Sequence, residues 1–297
     1  MGFETLKSVS RQNVGFSSFF KDLRNNRPEQ KLEAGDRFPR INEALETLGS
    51  QQGLLDTARR NLDFLFSKNI SVLFPFQDEF PMGFHDLQDF PEWLFVEGDV
   101  SVLSKPSITA VGSRKTSSDG LWLADYLGYC LPKLQAVTVS GLADGIDQMV
   151  HQSSIRAGMP TVAVLGSGIL ADYPRGSQKL RSELVEAGGA VVTEYLPSDG
   201  VSAKNFVRRN RIQAALGKTV FPVEWAAKSG TAHTVKFAYN MGRPIVLART
   251  TLQQRFDWVP VEYRQVGAFF TLPTDHDAFI RTLVSHLHEE AVQLSLI

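Results

Sequence analysis

Six short apolar runs, separated by longer segments of mixed polarity, dominate the middle of the chain. They span residues 108–111, 136–139, 161–165, 190–192, 219–223 and 244–247, and each contains valine. Continuous apolar runs of this length are typical of strands that are buried on both faces of a parallel sheet. The segments between them are long enough for the helices that parallel strands need as crossovers. Residues 106–250 therefore predict an α/β fold with a doubly wound, mostly parallel sheet.

The segments on either side of this region have different patterns. Residues 1–68 carry leucines at near-helical spacing, which predicts an N-terminal helical accessory segment. Residues 69–105 are rich in proline and aromatic residues, which predicts an irregular strap with short strands. Its aromatic side chains either pin the strap onto the core or stack on nucleobases, and we favour pinning. Residues 251–297 are expected to form a C-terminal extension of loop or extended chain, with a packing helix near 276–289.

Composition restricts the partners and the compartment only weakly. The 297 residues have a formal net charge of -1, so an affinity for nucleic acid would need a local concentration of cations. The single cysteine, Cys130, cannot form an intrachain disulfide and lies in an apolar stretch, where we expect a small buried side chain. The sequence shows no secretory signal and no apolar run long enough to span a bilayer. We therefore expect a cytoplasmic protein without membrane contact.

Glycine-rich and hydroxyl-bearing stretches follow four of the predicted strands, at 112–115, 140–147, 166–168 and 228–231. In an open α/β sheet, ligands bind outside the carboxyl ends of the strands, where such stretches would meet. Glycine allows close backbone approach, and helix N-termini and arginine side chains bind phosphate. One such loop is usually a plain connector, but four at one edge favour a phosphate site. Neither the Walker A spacing nor the dinucleotide-binding glycine pattern is present.

A cluster of four cations lies within eight positions at Lys204, Arg208, Arg209 and Arg211, with Phe206 among them. Cations beside an aromatic ring suit a polyanion that carries bases. The same pattern fits the solvated start of a helix with Arg–Glu pairs. The residues alone do not choose between these two interpretations.

Together these motifs resemble the DprA/Smf family of DNA-processing proteins, which is related to the LOG/SLOG superfamily. The resemblance covers residues 69–249 or so and includes Ala-Val-Gly-Ser-Arg at 110–114, Ser-Gly-Leu-Ala-Asp-Gly-Ile-Asp at 140–147 and Phe-Val-Arg-Arg-Asn-Arg-Ile at 206–212. Further matching stretches lie at 78–81, 90–99, 163–168, 173–174, 193–195 and 223–230. Several linked motifs in one order make the resemblance specific at the level of the family.

The resemblance implies a Rossmann-like core that binds single-stranded DNA. It also implies a homodimer that assists the loading of a RecA-type recombinase during DNA uptake, recombination and natural transformation. From the pattern and the resemblance together, the predicted DNA- and phosphate-binding residues are Gly112, Ser113, Arg114, Lys115, Ser140, Gly141, Gly145, Gly166, Ser167, Gly168, Lys204, Arg208, Arg209, Asn210, Arg211, Lys228, Ser229 and Gly230. Asp147, His151 and Glu194 are expected to brace the loops. Since His151 follows Asp147 by about one helical turn, we also expect a hydrogen bond between them.

Some positions depart from the family pattern. Asp144 stands where the family usually has a basic residue, Val207 stands where it usually has proline, and the loop 230–234 differs from the usual Gly-Ser-Leu-Ile-Thr. An acidic residue in the proposed pocket would weaken or redirect DNA binding. We therefore hold the expectation that the protein binds DNA more firmly than the expectation that it acts in natural transformation.

Catalysis is not expected. In related phosphoribohydrolases a carboxylate stands where this chain has His233 and Thr234, and protonating a leaving base without a positioned acid is difficult. The six histidines and the cysteine show no metal-ligand spacing, so we expect neither a metal nor a cofactor. Two alternatives remain: a sensor or hydrolase of a small nucleotide in the same pocket, including one in phage defence, and a scaffold whose pocket is vestigial.

Overall fold

The computed structural model describes residues 63–226, 228–252 and 259–293. Within these ranges, nine strands form one sheet in the order β1-β2-β6-β5-β4-β3-β7-β8-β9. The strands are β1 (Ile70–Leu73), β2 (Leu94–Gly98), β3 (Ser107–Val111), β4 (Val137–Ser140), β5 (Thr161–Val164), β6 (Ala190–Thr193), β7 (Thr219–Pro222), β8 (Ile245–Thr250) and β9 (Gly267–Leu272). β2 pairs antiparallel with β1 and β6, and the other neighbouring pairs are parallel. The predicted α/β fold with a mostly parallel sheet is confirmed.

Helices cover both faces of the sheet. They are α1 (Ser118–Leu134), α2 (Ile146–Arg156), α3 (Gln178–Glu186), α4 (Ala203–Leu216), α5 (Gly230–Asn240), α6 (Val261–Arg264) and α7 (His276–Gln293), with 3₁₀ helices at Met82–Asp86 and Val100–Ser104. α1, α2 and α7 share one core cluster with β3, β7, β8 and β9. On the other face, α4 and the 3₁₀ helices pack on β4, β5 and β6. Both faces of the central strands are therefore buried, as their continuous apolar sequences require.

The six predicted strands correspond to β3 through β8, with small shifts of their ends. β3 lies between β4 and β7, and the chain leaves β3 for α1 on one face and β7 for α5 on the other. The helices that follow β3 and β7 therefore lie on opposite faces of the sheet, although both strands end side by side at its carboxyl edge. Such a reversal of strand order opens a crevice where doubly wound proteins bind ligands.

The proline-rich strap is more regular than predicted, since it supplies β1 and β2 as the antiparallel end of the sheet. Its aromatic side chains Phe80, Phe84, Trp93 and Phe95 are buried. The Trp93 indole Nε1 donates a hydrogen bond to the Glu194 backbone oxygen at 2.9 Å. These aromatic side chains therefore lie in core clusters of the domain.

The tail contains a strand that the sequence pattern did not reveal. β9 pairs parallel with β8 over six residue pairs and forms one edge of the sheet. The predicted C-terminal helix is present as α7. Of the predicted N-terminal segment, residues 63–67 are helical, and residues 1–62 lie outside the described residues. None of the helices in the described part of the chain is long and apolar enough to cross a lipid bilayer.

Candidate nucleic-acid interface

The loops after β3, β4 and β7 meet at the carboxyl edge of the sheet. The Ser113 amide donates to the Glu224 backbone oxygen at 2.6 Å, and the Ile146 amide donates to the Ser113 backbone oxygen at 3.2 Å. Gly145 has a φ of +83°, and a Cβ there would stand 2.4 Å from the Ser113 carbonyl oxygen. This packing of backbone on backbone requires glycine at position 145. The predicted convergence of these loops is therefore present.

Arg209 lies beneath the loops rather than on their surface. Its guanidinium Nη1 donates to the backbone oxygens of Gly141, at 2.9 Å, and of Val164. Its Nε donates to the Asn210 side-chain oxygen at 3.0 Å. A Cβ at Gly141 would stand 2.1 Å from the guanidinium. Arg209 thus ties the ends of β4 and β5 to α4, and glycine at 141 makes room for it.

Asp147 is a buried carboxyl group that interacts electrostatically with this guanidinium. Burial raises the pKa of its carboxyl, and the Arg209 charge, followed by hydrogen bonds from the Gly112 and Ala143 amides, opposes that rise. The carboxyl group joins the loop after β3 to the loop after β4. The expected bracing role of Asp147 is confirmed.

The predicted hydrogen bond between Asp147 and His151 is wrong. The His151 ring Nδ1 instead bonds the Thr161 hydroxyl at 2.8 Å, and its buried Nε2 has no hydrogen-bond partner among the residues that the structure describes. Burial, and secondarily the charge of Arg209, lower the pKa of His151 to about 3. One helical turn brings two residues to the same side of a helix, but the bonds of Asp147 to the loops hold its carboxyl elsewhere.

Arg211 is also buried, and it forms a bidentate ion pair with Glu194. The guanidinium nitrogens lie 2.6 and 2.7 Å from the two carboxylate oxygens, and Nε donates to the Asp89 backbone oxygen at 2.6 Å. Arg208 is more exposed and contacts the Asp89 carboxylate at 3.2 Å and Glu194 at 3.5 Å. Arg–Glu pairing is therefore present in the cation cluster. The glutamate partner, Glu194, directly follows β6 and is not on the same helix as the arginines.

Glu224 occupies the N-terminus of α1. One carboxylate oxygen accepts hydrogen bonds from the Thr116 hydroxyl, the Ser117 amide and the Ser117 hydroxyl, each at 2.9 Å. A Cβ at Gly120 would lie 2.2 Å from this oxygen. A helix N-terminus attracts anions through its free amides and its dipole. In this protein a carboxylate of the chain itself fills that place.

At this edge, the exposed Arg114 side chain lies beside two aromatic rings, those of Phe206 and Tyr173. The Arg114 guanidinium lies 5.6 Å from the centroid of the Phe206 ring, within reach of a cation–π interaction. Phe206 in turn packs against Tyr173, with ring centroids 5.0 Å apart. Tyr173 was not among the predicted site residues, although the Tyr-Pro stretch at 173–174 is part of the family resemblance.

Three further cations of the prediction are exposed at this edge: Lys115 after β3, Lys204 in the first turn of α4, and Lys228 before α5. Asp144 is exposed as well, and its carboxylate accepts a hydrogen bond from the Gln148 side chain at 3.1 Å. The edge therefore presents separate cations, with one carboxylate in the loop after β4.

The remaining predicted residues hold the loops in place. Ser113 bonds through its hydroxyl to the Lys115 backbone oxygen at 2.6 Å, and Ser140 to the Ala110 backbone oxygen at 2.7 Å. Asn210 donates to the Gly230 backbone oxygen at 2.9 Å, and Ser229 accepts from the Ala232 amide at 3.3 Å. The others lie within the converging loops: Gly112 is half-buried against Ile146, and Gly166, Ser167 and Gly168 are buried.

Two other sequence expectations concern reactive groups. Cys130 is buried, and burial raises the pKa of its thiol to about 12, which makes it a poor nucleophile. Within the described residues, no group of three or more His, Cys, Asp or Glu side chains is placed to hold a metal ion.

A family model described as DNA recombination-mediator protein A matches residues 71–268. This range runs from β1 through α6 to the first two residues of β9 and includes every residue of the edge. The chain belongs to this family.

Curated relatives agree with that assignment. Protein Smf of Escherichia coli is 36% identical over 178 residues, which are 58% of this chain and 46% of Smf. The DNA processing protein DprA of Streptococcus pneumoniae is 31% identical over 191 residues, which are 64% of this chain and 66% of that protein. The chain thus spans between about half and two thirds of the length of these DprA/Smf relatives.

Solved structures show the same fold. DprA from Streptococcus pneumoniae superimposes with a TM-score of 0.65 at 23% identity, over 92% of this chain and 90% of that one. DNA processing protein A from Helicobacter pylori, which binds single-stranded DNA, superimposes with a TM-score of 0.63 at 23% identity, over 74% of this chain and 97% of that one. The Rossmann-like architecture expected of a DprA/Smf protein is therefore present in this member.

Proposed function

We propose that this DprA/Smf protein binds the sugar–phosphate backbone of single-stranded DNA at the carboxyl edge of its sheet. The observation that carries the proposal is the exposed Arg114 guanidinium beside the Phe206 ring, at the mouth of the converging loops. Lys115, Lys204 and Lys228 supply further exposed positive charge around it. The single-stranded DNA-binding relative from Helicobacter pylori supports the same choice of ligand.

The side chains at the edge are of two kinds: exposed cations that suit phosphates, and half-buried aromatic rings that suit bases. Arginine and lysine contact phosphates, which carry no sequence information, and therefore bind all sequences alike. An aromatic ring offers stacking to any base, because every base has a π-face. Phe206 and Tyr173 would provide that contact, which duplex DNA with its stacked bases cannot use. The arrangement favours a sequence-tolerant binder of single strands.

Two carboxylates that could serve in hydrolysis are already engaged within the protein. Glu194 pairs with Arg211, and Glu224 accepts three hydrogen bonds at the start of α1. A general acid must lie within hydrogen-bond reach of the leaving group, and both carboxylates are instead occupied by contacts within the protein. We therefore assign this edge to binding rather than to nucleotide hydrolysis.

We further propose that the DNA-bound protein acts as a mediator that helps load a RecA-type recombinase, as a homodimer. The description of its family as recombination mediators supports this role. DNA uptake and transformation are the pathway we assign to it. A mixture of this protein, a recombinase and single-stranded DNA should form recombinase filaments faster than the same mixture without it.

The binding proposal is tested by fluorescence anisotropy with single- and double-stranded oligonucleotides at two salt concentrations. We expect tighter binding of single strands and an affinity that falls steeply with salt, because cations at phosphates release counterions. Arg114→Ala should weaken binding to all sequences and lower the salt slope by about 1. The matched control is Lys105→Ala, an exposed cation at the opposite end of β3.

Three outcomes would contradict the proposal: no binding, binding that is insensitive to salt, or a loss on Arg114→Ala that depends on base sequence. Incubation with nucleoside monophosphates tests the hydrolytic alternative. Release of free base at a rate that the Arg114→Ala variant lowers would favour an enzyme over a binder.

A further inference from the structure

An aromatic row runs down α1, away from the carboxyl edge. Trp122, Tyr126, Tyr129 and Lys133 follow each other at spacings of four, three and four residues, which places them on one side of a helix. The helix begins at Ser118, shortly after Lys115 in the loop that follows β3. The row therefore starts within about two helical turns of the proposed DNA-binding edge.

The rings of this row are held in place and yet open to solvent. Trp122 stacks on Tyr126 with centroids 4.9 Å apart and planes 28° apart. The Tyr126 hydroxyl bonds the His276 ring Nδ1 at 2.7 Å, and Phe279 packs against the Tyr126 ring from α7. Trp122 is 40% exposed and Tyr129 is 76% exposed. Trp122 and Tyr129 would lose little conformational entropy when a ligand binds, because both rings already pack against Tyr126.

A cavity of about 610 Å³ lies beyond Tyr129, between α1, α2 and α7. Its lining includes Lys133, Arg156, Asp125 and His276. Arg156 is paired with Asp125, which leaves the exposed Lys133 as the charge at the end of the row. The row thus runs from the cations of the edge, over aromatic rings, to a second cation beside a cavity.

We propose that this aromatic row extends the DNA path, so that bases of a strand leaving the edge stack on Trp122 and Tyr129 and a phosphate meets Lys133. This inference rests on the proposed function of the edge. Alternating cations and aromatic rings form the platform on which proteins bind single strands without sequence preference. On α1 the exposed large apolar side chains are the two aromatic ones, Trp122 and Tyr129, and they lie on the same side of the helix as Lys133, so ring faces for bases and a cation for a phosphate follow one another along it.

The test compares oligonucleotides of about 6 and about 20 nucleotides, since a short strand fills the edge and a long strand also reaches the row. The variant Trp122→Ala/Tyr129→Ala should bind the short oligonucleotide as the wild type does. It should bind the long one at least fivefold more weakly, because one stacked base contributes roughly that factor. Trp122→Phe/Tyr129→Phe keeps the ring faces and should restore most of the affinity.

A second measurement uses the fluorescence of Trp122. Long oligonucleotides should protect this fluorescence from quenching by iodide, whereas short ones and long ones with abasic sites opposite the row should not. The difference in signal between the wild type and Trp122→Phe belongs to Trp122. Of the other three tryptophans, Trp93 and Trp225 are buried and Trp258 lies outside the described residues.

The outcomes separate the two proposals. If the wild type binds neither length, the proposed function of the edge is wrong. If the wild type binds both lengths and the double alanine variant binds the long one equally well, the DNA path ends at the edge, and the row is a protein-docking surface instead. A loss that the double phenylalanine variant fails to restore also contradicts stacking.

Discussion

Two sets of cations at the same sheet edge have opposite environments. Arg209 and Arg211 are buried within α4 and bonded to backbone oxygens and to Glu194. Arg114 and Lys204 lie on the surface. A buried guanidinium must have its donors satisfied, because desolvation of an unpaired charge is costly. The first set therefore shapes the edge, and the second set is left for a polyanion.

This difference in burial also determines which measurement reports on each set of cations. Loss of a buried cation leaves its partner uncompensated, and its effect appears in the free energy of unfolding. Loss of an exposed cation changes the affinity for an anion and its dependence on salt. Variants in the two sets should therefore give separate signatures, and a variant that gives both would break the distinction.

The largest effect is expected for Arg211→Met. Removing the guanidinium leaves the buried Glu194 carboxylate with only the longer contact to Arg208 at 3.5 Å, which should lower the free energy of unfolding by about 3–5 kcal/mol. Denaturant titration monitored by circular dichroism measures this. The double variant Arg211→Met/Glu194→Gln should recover part of the loss, since no charge is stranded. A single-variant loss below about 1 kcal/mol would place Arg211 with the exposed set.

The next largest effect is the pH dependence of stability that is due to His151, a buried histidine of α2 whose pKa the charge of Arg209 helps to lower. Its folded-state pKa of about 3 lies below the ordinary value of 6.5, so the unfolded state binds a proton that the folded state does not. The stability that this difference contributes is present above pH 6.5 and is lost as the pH falls toward 3, at up to about 1.4 kcal/mol per pH unit.

Unfolding titrations of the wild type and of His151→Asn, at several pH values between 4 and 8, measure that contribution. The asparagine can keep one polar contact to Thr161 without titrating. The difference in stability between the two proteins should shrink as the pH falls below 6.5. A constant difference would mean that the pKa of His151 is the same in the folded and the unfolded protein.

Smaller effects are expected in the exposed set. Lys204→Ala and Lys228→Ala should each weaken single-stranded DNA binding by several-fold and lower the salt slope by about 1 where the lysine contacts a phosphate. The unfolding free energy should stay within about 0.5 kcal/mol of the wild type, as for most surface substitutions. Anisotropy titrations over a range of salt concentrations measure the slope, with Lys105→Ala as the control. An unchanged slope would remove the substituted lysine from the DNA path.

The smallest effect is expected for Asp144→Asn. This carboxylate is exposed in the loop after β4 and would repel a phosphate through solvent, where charges are strongly screened. Its removal should raise DNA affinity about two- to threefold at low salt and less at high salt. A decrease in affinity would show that Asp144 takes part in binding, for example by holding Gln148 in place.

Much of the fold could be predicted from the sequence, because β3 through β8 carry continuous valine-rich runs bounded by loop residues. β9 could not, since its Gly-Ala-Phe-Phe-Thr-Leu sequence is only partly buried at a sheet edge and follows a segment without turn signals. The convergence of the loops was also predictable, because parallel strands end at one edge.

The orientation of the cations in α4 was not predictable. Arg209 and Arg211 are two residues apart and point to different sides of the helix, so helical periodicity would bury at most one of them. Both are buried because the loops after β4 and β5 cover one side and the strap with Asp89 covers the other. These are contacts between distant parts of the chain, which no local pattern contains.

Glu224 has a consequence for how such an edge could change over evolution. This carboxylate already accepts hydrogen bonds at the N-terminus of α1. Binding of an anion at the edge therefore depends little on the backbone amides of α1 and mostly on side chains that are exposed on the loops. Exposed lysines and arginines can be exchanged singly without disturbing the packing beneath them. Ligand affinity can therefore weaken, strengthen or be lost while the scaffold is inherited unchanged.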